Sequence, residues 1–365
     1  MKRRLKIFAL GGNEVAPTDI IDPKTGKTIN PDIPAQWKRA ARACELLADI
    51  IEAAPDDDYV VTHGNGPQVG NILLRSDYSL PILPPIPLDV IVADTQGAMG
   101  YMLLHIGNAL RAKGIRRPVA AIVTQVVVDP LDPDFKDPSK FIGPGYSPNQ
   151  IEEKEGSPER YKRYHKNGGR EIWRRVVGSP KPVDIVEIDT IEANLRAGVI
   201  PIAVGGGGIP VHPVQPQKTP AGEVFPCRHS IVFEKRCGSG NPVPDIYSGV
   251  DAVIDKDLAT SLMGALLMER AAQRGEHLTA ELTILTNVDG VKRNFGKPDQ
   301  ADLRQLNAAE AQQLYDQGLF PSGSMGPKVL AAIEFVCRGG QRAFITEVSA
   351  YEDTVAGRAG TTILP

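Results

Sequence analysis

The chain has 365 residues, enough for two lobes or for one large α/β sheet with additions. Hydrophobic residues are 42% and charged residues 23%, and 41 basic against 44 acidic residues give a formal net charge of −3. That balance argues against a nucleic-acid binder, which needs a surplus of Lys and Arg over phosphate. The apolar run behind the basic residues 1–6 stops at Leu10, too short for a signal-peptide core, and no segment reaches the length of a membrane span. Cys44, Cys227, Cys237 and Cys337 are scattered and read as reduced thiols, so a cytoplasmic protein is expected. A small zinc site at Cys227, His229 and Cys237 is the weaker alternative, because structural zinc wants four ligands and tight cysteine pairs.

In chain order, residues 5–10 are predicted as a strand that runs into Gly11-Gly12-Asn13. Trp37, Ala40, Ala41, Cys44, Leu47, Ala48 and Ile51 fall on one helical face between Pro34 and Pro55. A second strand at 59–61 ends in Thr62-His63-Gly64-Asn65-Gly66-Pro67, and a helix is predicted over 68–75. Asp89 is expected to cap a long helix through Leu110 that Gly114 closes, and the β-branched run in 118–128 is expected as a buried strand. This alternation predicts an α/β fold, an open αβα sandwich with a mostly parallel central sheet.

From Asp129 the pattern breaks into a proline-laden, charged stretch, predicted as neither strand nor long helix but as an excursion that forms a lid or binding arm. Regular order resumes over 185–197, followed by a strand at 199–204 and the run Gly205-Gly206-Gly207-Gly208. Residues 212–248 form a second irregular stretch, then 251–257 lead into an apolar helix through Met268. A strand at 282–285, the turn Asn287-Val288-Asp289-Gly290, a helix from Pro327 and a strand at 343–345 complete the chain. The expected organisation is an N-terminal lobe over 1–200, with an arm at about 129–180, and a C-terminal lobe over 201–365 with an insertion at about 212–248.

Both glycine turns follow apolar strands, where bare backbone amides can crowd round phosphate or carboxylate oxygens beyond the carboxyl ends of parallel strands. Lys256 precedes a predicted helix, and Pro327 suits the first helical position beside Lys328. A lysine at a helix N-terminus adds a full charge to donors already oriented for an anion; taken alone, each lysine is more often a solvated surface residue, and its coincidence with two glycine turns is what points to a site. Neither glycine run fits the P-loop spacing, Gly11-Gly12 lacks the third glycine of a dinucleotide fingerprint, and no Gly-x-Ser-x-Gly elbow occurs. His63 is either a general base or a turn residue bonding its own backbone.

Taken together and in this order, Leu10-Gly11-Gly12-Asn13, residues 62–70, 138–144 and Trp173-Arg174-Arg175-Val176-Val177, then 205–211, 252–258 and 323–329, resemble carbamate kinase over nearly the whole chain. The resemblance implies the amino-acid kinase fold, a homodimer, and reversible phosphoryl transfer between ATP and carbamate, giving ADP and carbamoyl phosphate. An ATP-forming direction, fed by a catabolic pathway, comes with it. It assigns Gly11, Gly12, Asn13, Gly64, Asn65 and Gly66 to the small acid acceptor, and Gly206, Gly207, Gly208, Asn287, Asp289, Met325 and Lys328 to the nucleotide. Lys140, Lys256 and Lys328 match the lysines that hold the phosphates, and Asp255 the carboxylate that orients them. Mg²⁺ is expected as cofactor, held mainly by the nucleotide phosphates without a direct protein ligand. Such a reaction needs in-line positioning and positive charge rather than a general base.

Glu14 stands beside the acceptor turn, where a carboxylate repels a bound anion unless it points away or pairs with a cation. The segment 212–247 is also longer than the corresponding link in the family. Two alternatives therefore stay open: a kinase of another small carboxylate, phosphonate or phosphate, and a non-catalytic nucleotide sensor.

Overall fold

The computed structural model describes residues 3–15, 32–152, 159–164, 172–220, 222–235, 245–320 and 325–365. Its centre is an eight-stranded sheet in the order Gln305–Asn307, Thr361–Leu364, Arg342–Thr346, Leu278–Leu285, Arg3–Leu10, Asp58–His63, Ile200–Ile202 and Val119–Ala121. All neighbours pair in parallel except Arg342–Thr346 with Thr361–Leu364. Successive side chains of a strand point to opposite faces, and Arg3–Leu10 uses both. Leu5, Ile7 and Ala9 join a core with Ala259, Met263 and Leu267 of helix Lys256–Gln273 and Val329 and Ala332 of helix Met325–Cys337. Phe8 and Leu10 join another with Cys44, Leu47 and Ile51 of helix Ile33–Ala53 and Leu103 and Ile106 near the junction of two further helices. Apolar strands buried on both faces are what a parallel sheet between two helical layers requires, so the αβα sandwich stands. Among the described residues no helix is long and apolar enough to cross a membrane.

Four local expectations are corrected. The long helix after Asp89 is two, Leu88–Leu103 and His105–Ala112, and Asp89 is no cap: Pro87 holds that position, while the Asp89 carboxylate is buried against Arg228 and His229. The run 118–128 divides between sheets. Val119–Ala121 is an edge of the central sheet and Gln125–Val128 lies in a four-stranded one with Pro182–Ile185, Ile209–Pro213 and Tyr247–Gly249, because Thr124 between them is engaged by Gln96 and by the Val204 amide.

The stretch after Asp129 does contain a strand, Lys140–Tyr146, in an antiparallel sheet with Ile172–Val177 and Arg160–Tyr164. Pro144 is tolerated because Lys140–Tyr146 is an edge strand and is bulged there. Ile142 and Val177 seat this arm in a third core with Val69, Leu73, Ile91 and Val92. The segment 212–248 is likewise not featureless, since Gln217–Thr219, Gly222–Pro226 and Val232–Glu234 form an antiparallel meander. The arm strand exists through a partner more than twenty-five residues away, which local composition does not report, whereas the meander pairs neighbouring segments too short and proline-broken to show a strand period.

Candidate active site

Leu10 lies level with His63 and with Leu285, so Arg3–Leu10, Asp58–His63 and Leu278–Leu285 end at one carboxyl edge. The Gly64 amide donates to Leu10 O and the Gly11 amide to Leu285 O, each at 3.0 Å, which turns both chains at the same height. The two turns then pack backbone against backbone: a Cβ on Gly12 would stand 2.5 Å from Gly66 N and Cα, closer than any side chain allows.

Asp255 caps helix Lys256–Gln273, its Oδ1 accepting from the Asp257 and Leu258 amides at 2.9 and 3.3 Å. Lys256 and Asp257 therefore start the helix with fixed directions. Lys256 Nζ lies 2.6 Å from Asp257 Oδ1 and donates to Ala9 O at 3.2 Å, and Lys328 Nζ reaches Asp257 Oδ2 at 2.8 Å. Lys140, coming from the arm, has its Nζ 3.4 Å from Asp255 Oδ2. The three lysines and Asp255 named from sequence thus share the wall of one cavity of about 460 Å³, together with Gly64, Asn65, Gly66 and Gly206.

Burial opposes every charge here, and the pairings decide which groups keep theirs. Burial pushes Lys256 below its ordinary value, with the Lys328 charge adding to that and Asp257 only partly offsetting it. Burial alone would lower Lys328, but the Asp257 charge and hydrogen bond, with the Asp255 charge added, together hold the ammonium above its usual range. Burial alone would raise Asp257, yet the two ammonium groups hold its carboxyl well below the carboxylate range.

Asn65 is oriented by Thr95, whose hydroxyl donates to Asn65 Oδ1 at 2.9 Å. Asn65 lines the cavity, and its Nδ2 is buried and, among the described residues, without a hydrogen-bond partner. Gly206, at φ +66°, is what lets it sit there: a Cβ at 206 would fall 2.0 Å from Asn65 Oδ1.

A second cavity of about 150 Å³ is lined by Asn287, Val288, Phe295, Phe320 and Met325, and by Lys328, which it shares with the first. The aromatic and aliphatic wall suits a flat apolar body, and Lys328 stands where that body's charged end would enter the larger cavity.

Other named residues stand back from both walls. Gly11 and Gly12 lie behind the Gly64–Gly66 turn, and the backbone of residue 13 belongs to the short helix Gly12–Val15. Gly207 and Gly208 pack against Ile254 and Val126, and Asp289 pairs with Arg304 at 3.1 Å. Glu14 is buried and lines neither cavity. His63 is buried, its Nδ1 3.2 Å from Gly64 O; burial, reinforced by the Lys256 charge, lowers it to about 4, a neutral turn residue away from the cavity wall. His229 contacts Asp89, Cys227 Sγ faces the Phe225 and Tyr247 carbonyls, and Cys237 lies outside the described residues, as do Gly323 and Ser324. No group of three or more His, Cys, Asp or Glu among the described residues is arranged to hold a metal ion.

Sequence reasoning did not single out Asp257, Thr95 or Arg174. An acidic residue in a helix's first turn ordinarily complements the dipole, so nothing local in the sequence marks Asp257 as a bridge between lysines. Arg174 was visible only as part of a motif.

The amino acid kinase family pattern matches residues 269–347. The carbamate kinase of Thermococcus kodakarensis is 39% identical over 339 residues, covering 90% of this chain and 92% of its own. Carbamate kinase 2 of Enterococcus faecalis is 35% identical with 98% of each chain covered. The solved structure of carbamate kinase from Giardia lamblia bound to AMP-PNP is similar with a TM-score of 0.77 at 32% identity, covering 99% of this chain and 98% of that one. With likeness of this degree running the length of the molecule, the chain is a kinase and belongs to the carbamate kinase family.

Proposed function

We propose that the protein catalyses reversible phosphoryl transfer between ATP and carbamate, giving ADP and carbamoyl phosphate. The observation that supports this most directly is the meeting of Lys140, Lys256 and Lys328 on one cavity wall, organised by Asp255 and Asp257. On this reading residues 201–365 form the nucleotide lobe: the nucleoside occupies the cavity of Asn287 and Met325, and its phosphates pass Lys328 and Gly206. Residues 1–200 form the acceptor lobe, where Gly64, Asn65 and Gly66 receive the small acid and the free Nδ2 of Asn65 donates to one of its oxygens.

The lysines place positive charge where it develops on the transferring group, and they are held by the protein before the substrates arrive, so no reorganisation is needed during reaction. Carbamate is anionic already, so its attack requires no general base, in keeping with a neutral His63 away from the cavity wall. Arm-borne Lys140 closes the acceptor side and excludes water.

The residues fit a Mg²⁺ carried by the nucleotide phosphates. Asp257 has both oxygens on lysines and Asp255 Oδ1 is spent on two amides, which leaves Asp255 Oδ2, with only the 3.4 Å Lys140 contact, to receive a magnesium-bound water. When bound, the ion supplies further neutralisation of phosphate charge. Among the described residues Cys44, Cys227 and Cys337 carry free thiols; a cytoplasmic setting and a homodimer are what the family reading leads us to expect.

Incubation with ADP, Mg²⁺ and carbamoyl phosphate, with ATP assayed, tests the reaction. ATP formation is expected; its absence alongside phosphorylation of another small acid by ATP would replace carbamate as acceptor.

A further inference from the structure

Four cationic side chains line the larger cavity, and three of them, Lys140, Lys256 and Lys328, touch an aspartate. The fourth is Arg174. Among the described residues its guanidinium meets no carboxylate: Nε and Nη2 both donate to Gly143 O, at 3.2 and 2.9 Å, and the group lies over the Tyr164 ring at 5.0 Å. A guanidinium carries five N–H donors, so most of the Arg174 fork is unspent while its position is held.

The placement comes from a bulge. Pairing runs from Ile142 opposite Arg175 directly to Gly145 opposite Arg174, which leaves Gly143 and Pro144 without partners in the ladder. A bulge re-aims side chains, and here it accompanies an arm held flush to helix Gln68–Ser79, where a Cβ on Gly70 would stand 3.0 Å from Gly143 Cα. Arg174 thereby sits on the side of the cavity built by Gly64–Gly66 and their helix, whereas Lys328 marks the nucleotide side. The adjacent Arg175 is turned to the opposite face of the arm and pairs with Glu159.

We infer that Arg174 binds the small acid substrate itself, its free donors taking oxygens of the acyl phosphate, and that it makes no contact with the nucleotide. This rests on the phosphotransfer reading above. It places recognition of the acid partly on the arm, so that seating the arm and seating this substrate are one event. A forked, uncompensated cation fits a carboxylate or phosphate bidentately, which a lysine at the same place does not.

The test compares Arg174→Gln, Arg174→Lys and, as control, Arg175→Gln. In the ATP-forming assay Arg174→Gln is expected to raise KM for carbamoyl phosphate about ten- to hundredfold, the loss of one charge-assisted contact, with KM for ADP unchanged. Arg174→Lys falls between, and Arg175→Gln keeps both constants. Equal rises in both KM values, or a fall in kcat alone with a lowered melting temperature, would make Arg174 a strut of the arm and overturn the inference. A thermal shift with carbamoyl phosphate alone reads binding without turnover. A shift present in the wild type and lost in Arg174→Gln supports the inference even if ATP formation fails, and the same shift in both, or none in the wild type, sinks it.

Discussion

Asp257→Asn removes one negative charge at nearly constant shape and is the most searching perturbation of the site. Its two oxygens lie 2.6 Å from Lys256 Nζ and 2.8 Å from Lys328 Nζ, and the carboxylate side chain is 5% exposed. Taking one partner from a buried ion pair costs about 3–5 kcal/mol of stability, because charge is left without compensation. Two ammonium groups on the order of 5 Å apart at an effective dielectric constant near 20 repel by roughly 3 kcal/mol, which agrees with that range. Lys256, already depressed by burial, is the group that releases its proton to relieve this. A lysine with a folded pKa below its unfolded value gains folded-state stability as pH rises, so the variant's deficit should shrink toward alkaline pH.

In the wild type the Asp257 carboxyl is lowered from 3.8, so its stabilisation is complete above that value and disappears as pH falls through its folded pKa. The gap between the two proteins should be widest between these limits. Denaturant unfolding from about pH 5 to 10 measures it, and kcat should fall about 10²- to 10³-fold through loss of preorganised charge. A variant within about 1 kcal/mol of the wild type, with kcat unchanged, would refute the idea that this carboxylate organises the lysines.

Lys140→Ala should separate rate from stability: its side chain is 38% exposed and its contact to Asp255 is 3.4 Å, so unfolding should change by less than about 1 kcal/mol while kcat falls about 10²-fold or more. Gly206→Ala forces a Cβ to within 2.0 Å of Asn65 Oδ1 at φ +66°, and a loss of about 2–4 kcal/mol with displacement of Asn65 should appear as a lower melting temperature and a raised KM for the acid. His63 is lowered from 6.5 to about 4 on folding, so the unfolded chain binds the extra proton between those values and about 3 kcal/mol is lost as pH falls through that window. A His63→Asn variant should show no such slope in acid unfolding; an unchanged slope would assign it elsewhere.

The alternation of apolar runs with glycine turns was legible because buried parallel strands and helix termini impose local demands on composition. Gly11, Gly64, Gly206 and Lys256 could be named for the same reason: each sits where a strand ends or a helix begins, and such places are written in a few consecutive residues. The arm strand is not legible because an edge strand with Pro144 owes its existence to a ladder partner far along the chain, and the meander is not because its three- to five-residue strands are too short to show a period.

The same limit governs the site. Sequence alone determined the fold class and the family, and it named the three lysines and the Gly64–Gly66 turn that gather at the larger cavity. Only the tertiary structure decided that Asp257 stands between Lys256 and Lys328, that Thr95 orients Asn65, and that Arg174 and Arg175 face opposite ways. The backbone's local preferences depend on neighbours in sequence, whereas charge, burial and the direction of a side chain depend on neighbours in space.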